Sequence, residues 1–215
     1  MPVRKIKKNY RSVTGYFASV KNGRNIAYES LLERDFFLLL EFDRLVSSYE
    51  EQPLRLSYRY GNKDLPYTPD ALVQYKAETL PPCIFEIKYS DEIKEKKVFL
   101  REKFVQIEDY LRSNDMEFKL FTELDIRTQF LENAKMIYRF ASINDMYYDE
   151  RINKISDILE TGESMSVTEC MSRLSQNRYD QAIHLPYLWH LIFTGKISID
   201  MDSKITNNSL IGIEK

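Results

Sequence analysis

Cysteine, histidine, glycine and proline are all scarce in this chain of 215 residues. The two cysteines, Cys83 and Cys170, lie far apart and lack metal-ligand spacing, so they read as reduced, buried thiols and exclude a disulfide framework. The two histidines, His184 and His190, have no Cys or neighbouring His partner pattern, which argues against a zinc site and against a His-based catalytic triad. Six glycines and seven prolines are too few for a disordered or low-complexity chain. No apolar run reaches the roughly 18 residues that a membrane span needs. The basic N-terminus has no apolar segment behind it, so no secretory signal is expected. These absences together suggest a cytoplasmic protein.

What is present is apolar mass and an uneven charge. At 43% hydrophobic and 13% aromatic residues, the chain has enough material for one moderate core plus a smaller one. Residues 1–28 carry Arg4, Lys5, Lys7, Lys8, Arg11, Lys21 and Arg24 and no acid. With a net charge of −2 overall, the rest of the chain is therefore acidic. A basic arm on an acidic body fits a polyanion partner, because lysine and arginine release counterions from phosphate backbones; a solvated tail would have the same composition.

Hydrophobic periodicity orders the body. Residues 26–42 read as a largely buried helix with a stripe of Leu32, Phe36, Leu39 and Leu40. Glu29 and Glu33 then share one helical face. Residues 46–60 read as extended, with Leu54, Leu56 and Tyr58 alternating with polar residues, and Pro53 points to an edge or a bulge. A turn at 61–64 leads to a strand over 68–75. Residues 76–82 make a loop, and 83–89 make a third strand. A helix over 91–112 has Leu100, Phe104, Ile107 and Leu111 on its buried side. Its first half is lysine-rich. A strand over 117–122 and a short helix over 125–133 follow. Beyond about residue 148 the pattern changes to short helices: one around Ile152–Leu159, one opened by the Ser166–Glu169 capping box, one over 178–184 and one starting at Pro186. Two short strands, 197–201 and 209–213, close the chain. Helices followed by a hairpin resemble a winged helix. The expected layout is an arm (1–24), a mixed sheet flanked by helices (25–147) and a small helical, winged-helix-like domain (148–215), an α/β chain overall.

Within the sheet lies the one constellation with a clear chemistry. Pro69-Asp70 precedes one strand, and Glu86-Ile87-Lys88 lies on the next. Period two puts Glu86 and Lys88 on one face. Hydrolysis of a phosphodiester needs a positioned water and charge stabilisation on the phosphate, which Mg²⁺ supplies through hard oxygen ligands. Asp70, Glu86 and the Ile87 carbonyl are the expected ligands. Lys88 is the expected partner of the attacking water or the phosphate. Glu33 would help hold a second ion or its water shell. An acid and a lysine on an otherwise apolar strand are costly unless they are used.

These segments also resemble a known family. ESLLERDFFLLLEFD (29–43), SYEEQPLRL (48–56), YTPDALV (67–73), FEIKYSDE (85–92) and LWHLIFTGKISIDM (188–201) are similar to the TnsA endonuclease subunit of heteromeric transposases. The resemblance implies a restriction-endonuclease-like fold and a catalytic set of Glu33, Asp70, Glu86 and Lys88. It implies a Mg²⁺ cofactor, with Mn²⁺ able to substitute and two ions expected. It further implies cleavage of the 5′ ends of a transposon during cut-and-paste transposition. The implied partners are double-stranded transposon-end DNA, a TnsB-like DDE transposase and a TnsC-like AAA+ ATPase, with no membrane involved. The family often has Gln where Glu86 stands here. Gln52 and Glu29 fall in matching segments without an assigned role. Arg4, Lys5, Lys7, Lys8, Arg11, Lys94, Lys97 and Arg101 are the expected DNA contacts; for the helical lysines a solvated face is the alternative. A stand-alone restriction or repair nuclease, and a non-catalytic DNA–transposase adaptor, are the competing readings.

Overall fold

The computed structural model describes residues 13–77, 79–160 and 162–213. The expected DNA contacts Arg4, Lys5, Lys7, Lys8 and Arg11 lie outside these. The chain divides into two compact units that meet between Arg127 and Thr128, earlier than the boundary near residue 147 drawn from the sequence.

Among the described residues the first unit opens on a hairpin, β1 (Gly15–Ser19) and β2 (Arg24–Tyr28), where the end of an arm and a helix start were expected. Gly23, at φ 64°, supplies the left-handed residue of its turn. Helix α1 (Leu31–Phe42) begins later than the apolar pattern suggests, because Ser30 caps it. The Ser30 side chain accepts from the Glu33 N–H, so Ile26, read as helical, belongs to β2 instead. The hairpin is fastened to α1 by Glu41, a buried acid on an apolar helix. Glu41 accepts from the Ser19 hydroxyl (2.5 Å), the Tyr49 hydroxyl (2.6 Å) and the Val20 and Lys21 N–H groups. Every donor it needs is therefore met within the unit.

The central sheet has four strands in the order β3 (Val46–Glu51), β6 (Ala71–Tyr75), β7 (Cys83–Ile87) and β8 (Glu117–Phe121). Between β3 and β6 the chain makes a separate hairpin, β4 (Leu56–Tyr60) and β5 (Lys63–Tyr67). The single extended run expected over 46–60 is thus broken. Gln52, at φ 46°, turns the chain out of the sheet. The first three sheet strands pair antiparallel, whereas β7 and β8 are parallel. A parallel pair requires a crossover, made here by α2 (Ser90–Glu95) and α3 (Lys97–Arg112). The sequence reading merges these two helices; Lys96 breaks them at φ −109°, ψ 25°.

Alternation along β7 sends neighbouring residues to opposite faces. Phe85 packs on Phe36 of α1, with ring centroids 4.9 Å apart, and both meet Phe121 of β8. Ile84 joins the other core with Tyr58, Tyr67, Ile107 and Leu111, beneath α3 and the β4–β5 hairpin. Gln106 of α3 bonds the N–H and the carbonyl of Arg59 at 2.9 Å each, completing the hydrogen bonding of that hairpin edge. A short helix α4 (Glu123–Ile126), with a full capping box on Thr122 and Asp125, closes the unit. The result is a mixed sheet flanked by helices, as expected.

The second unit starts with α5 (Gln129–Ile137) and a 3-10 turn (Tyr138–Phe140). Helices α6 (Tyr148–Leu159), α7 (Val167–Leu174) and α8 (Arg178–Phe193) follow. The two helices expected on either side of Pro186 are one: Pro186 lies inside α8, where burial of His184 and of residues 187–193 outweighs the missing N–H. β9 (Met165–Ser166), β10 (Ser198–Ile199) and β11 (Leu210–Gly212) form an antiparallel sheet in the order β10-β11-β9. His190 is held by Tyr148 and by the Phe140 carbonyl. Arg151, Asp145 and the Tyr187 hydroxyl are mutually bonded. Among the described residues no helix is long and apolar enough to cross a membrane.

Candidate active site

Asp70 sits just ahead of β6, at the point where the chain re-enters the sheet from the β4–β5 hairpin. Its backbone is fixed on both sides: its N–H donates to the Phe85 carbonyl and its carbonyl accepts from the Gln52 N–H. Its carboxylate reaches across to β7 and accepts from the Ile87 N–H at 2.6 Å. Pairing of Ala71 with Phe85 sets this register, so Asp70 faces the Glu86–Lys88 segment. The role of Gln52 here is a backbone one; its side chain is exposed.

Glu86 points to the α3 side of the sheet and is only 2% exposed. One carboxylate oxygen lies 2.9 Å from the Lys88 ammonium and 3.5 Å from that of Lys103. The other accepts from the Tyr67 hydroxyl at 2.6 Å. Lys103 and Tyr67 are not among the residues that the sequence pattern singles out; Lys103 counts there only as one lysine of a lysine-rich half-helix. The signal was there: Leu100, Lys103, Ile107 and Leu111 share the buried stripe of α3.

Glu33, Asp70, Ile87 and Lys88 line one cleft of about 460 Å³, with Glu29, Asp91, Glu92, Glu95 and Lys96 also on its walls. Glu29 lies before α1, so it does not share a helical face with Glu33. Instead its N–H donates to the Glu33 carboxylate, and the Ser30 hydroxyl bonds the other Glu33 oxygen, both at 2.8 Å. The helix cap thereby holds Glu33 at the cleft wall. Glu86 lies behind Asp70 and Lys88. Among the described residues, no three His, Cys, Asp or Glu side chains are grouped closely enough to form an all-side-chain metal cage.

Electrostatics make this crowding visible. Burial pushes the Asp70 carboxyl well above the usual range, and the charges of Glu86 and Glu33 push it further, against Lys88 and the Ile87 N–H. Burial likewise raises Glu33, helped by Glu29 and opposed by its cap hydrogen bonds and Lys88. For Lys88, burial pulls the ammonium down, but Glu86 and Asp70 outweigh it and the net shift is upward. Lys103 is lowered by burial despite Glu86. A cluster of hard oxygens short of positive charge is a setting that a divalent cation relieves.

The raised carboxyls have a stability consequence. A folded-state value above the unfolded one means that the folded protein holds the proton more tightly. The stabilisation is complete below the unfolded value, about 4 for Asp, and is lost as pH rises through the folded value. In chelator, Asp70→Asn is therefore expected to match wild type in acid and to exceed it increasingly toward neutral pH. Urea midpoints across a pH series measure this, and a constant difference would contradict it.

The other expected positions are less gathered. Lys94 is exposed on α2, and Lys97 and Arg101 are exposed on α3 beside Val98 and Val105. Cys83 and Cys170 are free and buried, and burial raises their thiols to about 12 and about 11, so neither is a nucleophile.

Two family models match, one over the greater part of each unit. Residues 43–123 match the model for the TnsA-like endonuclease N terminal, and residues 125–201 match that for the TnsA endonuclease C terminal. No curated protein matches the chain significantly. The junction between the two matches falls within a few residues of the division between the compact units. With a mixed sheet consistent with a restriction-endonuclease-like fold, and with both halves matched in order, the chain belongs to the TnsA endonuclease family, the nucleases of transposition.

Proposed function

We propose that the protein is a Mg²⁺-dependent endonuclease that cuts the 5′ ends of a transposon, using Asp70, Glu86, Lys88 and Glu33. The observation that carries this reading is the convergence of Asp70 on the Ile87 N–H while Lys88 and Glu86 pair on the same strand end. Asp70, Glu86 and the Ile87 carbonyl would hold the ion, with Glu33 serving a second ion or its water shell. A bound divalent ion supplies Lewis acidity for the scissile phosphate and makes a water more acidic at neutral pH. Lys88 keeps its proton in this setting, so its part is to donate hydrogen bonds and positive charge to the water or phosphate. Asp70 and its Ile87 bond orient the ligand set. The capped start of α1 holds Glu33 in reach.

Lys94, Lys97 and Arg101 are exposed cations suited to the DNA backbone, and Arg4, Lys5, Lys7, Lys8 and Arg11 carry charge of the same sign for that role. The second unit, in which β9 precedes α7 and α8 and pairs with the closing β10–β11 hairpin, is read as a winged-helix-like module. A TnsB-like transposase that cuts and joins the 3′ ends and a TnsC-like ATPase would complete the machine, in a bacterial cytoplasm.

The test is a strand-resolved cleavage assay. Transposon-end duplex, labelled on either strand, is incubated with the protein and its transposase partner in Mg²⁺ or in chelator. Cutting at the 5′ end only in Mg²⁺ is expected. Cutting without the partner would favour a stand-alone nuclease, and cutting in chelator would overturn the metal-dependent reading.

A further inference from the structure

Lys103 occupies a core position of α3, in line with Leu100, Ile107 and Leu111. A buried ammonium is strongly unfavourable unless it is paired, and this one has a built surround. It lies 3.7 Å from the ring centre of Tyr67, with the Tyr58 and Phe104 rings farther out at 5.8 and 5.1 Å. It reaches Glu86 Oε1 at 3.5 Å. The ring beneath it is the same Tyr67 whose hydroxyl bonds Glu86 Oε2 at 2.6 Å. Lys103 and Tyr67 thus grip both oxygens of one carboxylate from the α3 side. Lys88 also binds Oε1, at 2.9 Å, so two ammonium groups share a single oxygen.

The two lysines differ in freedom. The Lys103 side chain is 10% exposed and boxed in by aromatic rings, whereas that of Lys88 is 21% exposed and lines the cleft beside Asp70 and Glu33. A carboxylate with one counter-charge would keep Lys88 to itself. We propose that Lys103, seated on Tyr67, is a positioning residue: it holds and neutralises Glu86 so that Lys88 is free to turn to the attacking water or the phosphate. This rests on the nuclease reading above. It assigns a role to a helix residue that lies outside the P-D…E-x-K pattern and does not line the cleft.

Lys103→Met keeps side-chain length and removes the charge, and Lys103→Arg keeps the charge. Both are made in the full-length chain. Cleavage is measured in the mixture where wild type cuts, and Mn²⁺ binding is measured by calorimetry. Lys103→Met is expected to cut about tenfold to a hundredfold more slowly, because Lys88 becomes the one cation left on Glu86, beside the Tyr67 hydroxyl. Its Mn²⁺ affinity should be equal or tighter, since a cation near the site has gone. Lys103→Arg should recover most of the cutting. A residue that merely supports the fold would lower cutting and Mn²⁺ affinity together. Such a parallel loss, or a wild-type rate in Lys103→Met, overturns the proposal. Should Lys103→Met lose its cooperative melting transition, Lys103→Gln set against Lys103→Arg makes the same comparison. If wild type shows no Mn²⁺ binding that Asp70→Ala removes, the metal-site reading itself fails, and the role of Lys103 falls with it.

Discussion

Asp70→Ala is expected to reduce DNA cleavage by about 10³-fold or more while the protein stays folded. Two opposing effects on stability make the second half of that statement specific. Removing the carboxylate leaves the Ile87 N–H without its 2.6 Å acceptor, a loss of about 1–3 kcal/mol when the group stays dry. The same change removes a buried acid that is pressed by the charges of Glu86 and Glu33. The two partly cancel, so the loss of activity cannot be traced to unfolding. Lys88→Ala is expected to cost roughly 10²–10³-fold through loss of transition-state charge stabilisation. Its Glu86 carboxylate stays held by Lys103 and Tyr67. In a complete transposition reaction either variant should leave 3′-end cutting and joining by the partner intact, giving cointegrate-like products. Wild-type cleavage by Asp70→Ala would remove it from the site.

Phe36→Ala is expected to have the largest effect on stability, about 3–5 kcal/mol. Phe36 is 1% exposed and binds α1 to two strands at once, through Phe85 at 4.9 Å and Phe121 at 5.7 Å. A single domain has only about 5–15 kcal/mol to lose, so the variant should melt at clearly lower denaturant. Glu33 rides on the first turn of the same helix, three residues away in sequence, so activity should fall even where the variant remains folded. A chemical-denaturation series, read alongside cleavage, checks both effects. A loss below about 1 kcal/mol would show that α1 is held chiefly by other contacts, such as the Glu41 cluster.

Much of the nuclease half was legible because its signals are chemical. Asp70, Glu86 and Lys88 are costly residues beside apolar strands, and the alternation of Ile84 and Phe85 across the sheet follows from the pleat alone. What could not be read is where tertiary context overrides a local pattern. Ile26 continues the apolar spacing of α1, yet Ser30 and Glu33 cap the helix after it, and the capping residues were the better guide. The 46–60 stretch looks like one strand because its alternation does not record the left-handed turn at Gln52. Pro186 normally marks a helix start, but in α8 the burial of Tyr187 to Phe193 carries the helix through it. Lys103 is one of several lysines in the first half of α3, and only its spacing from Leu100 and Ile107 marks it as a core position. Of the site, the acids and Lys88 were visible in sequence. Their support from Tyr67 and Lys103 depends on how the β4–β5 hairpin and α3 fold over the back of the sheet, which short motifs do not encode.

Calorimetric titration of Mn²⁺ into the full-length protein at neutral pH, alongside Asp70→Ala, tests the metal site most directly. Saturable binding in wild type that disappears in Asp70→Ala and persists in Lys88→Ala is the expected result. Equal binding by wild type and Asp70→Ala would contradict it.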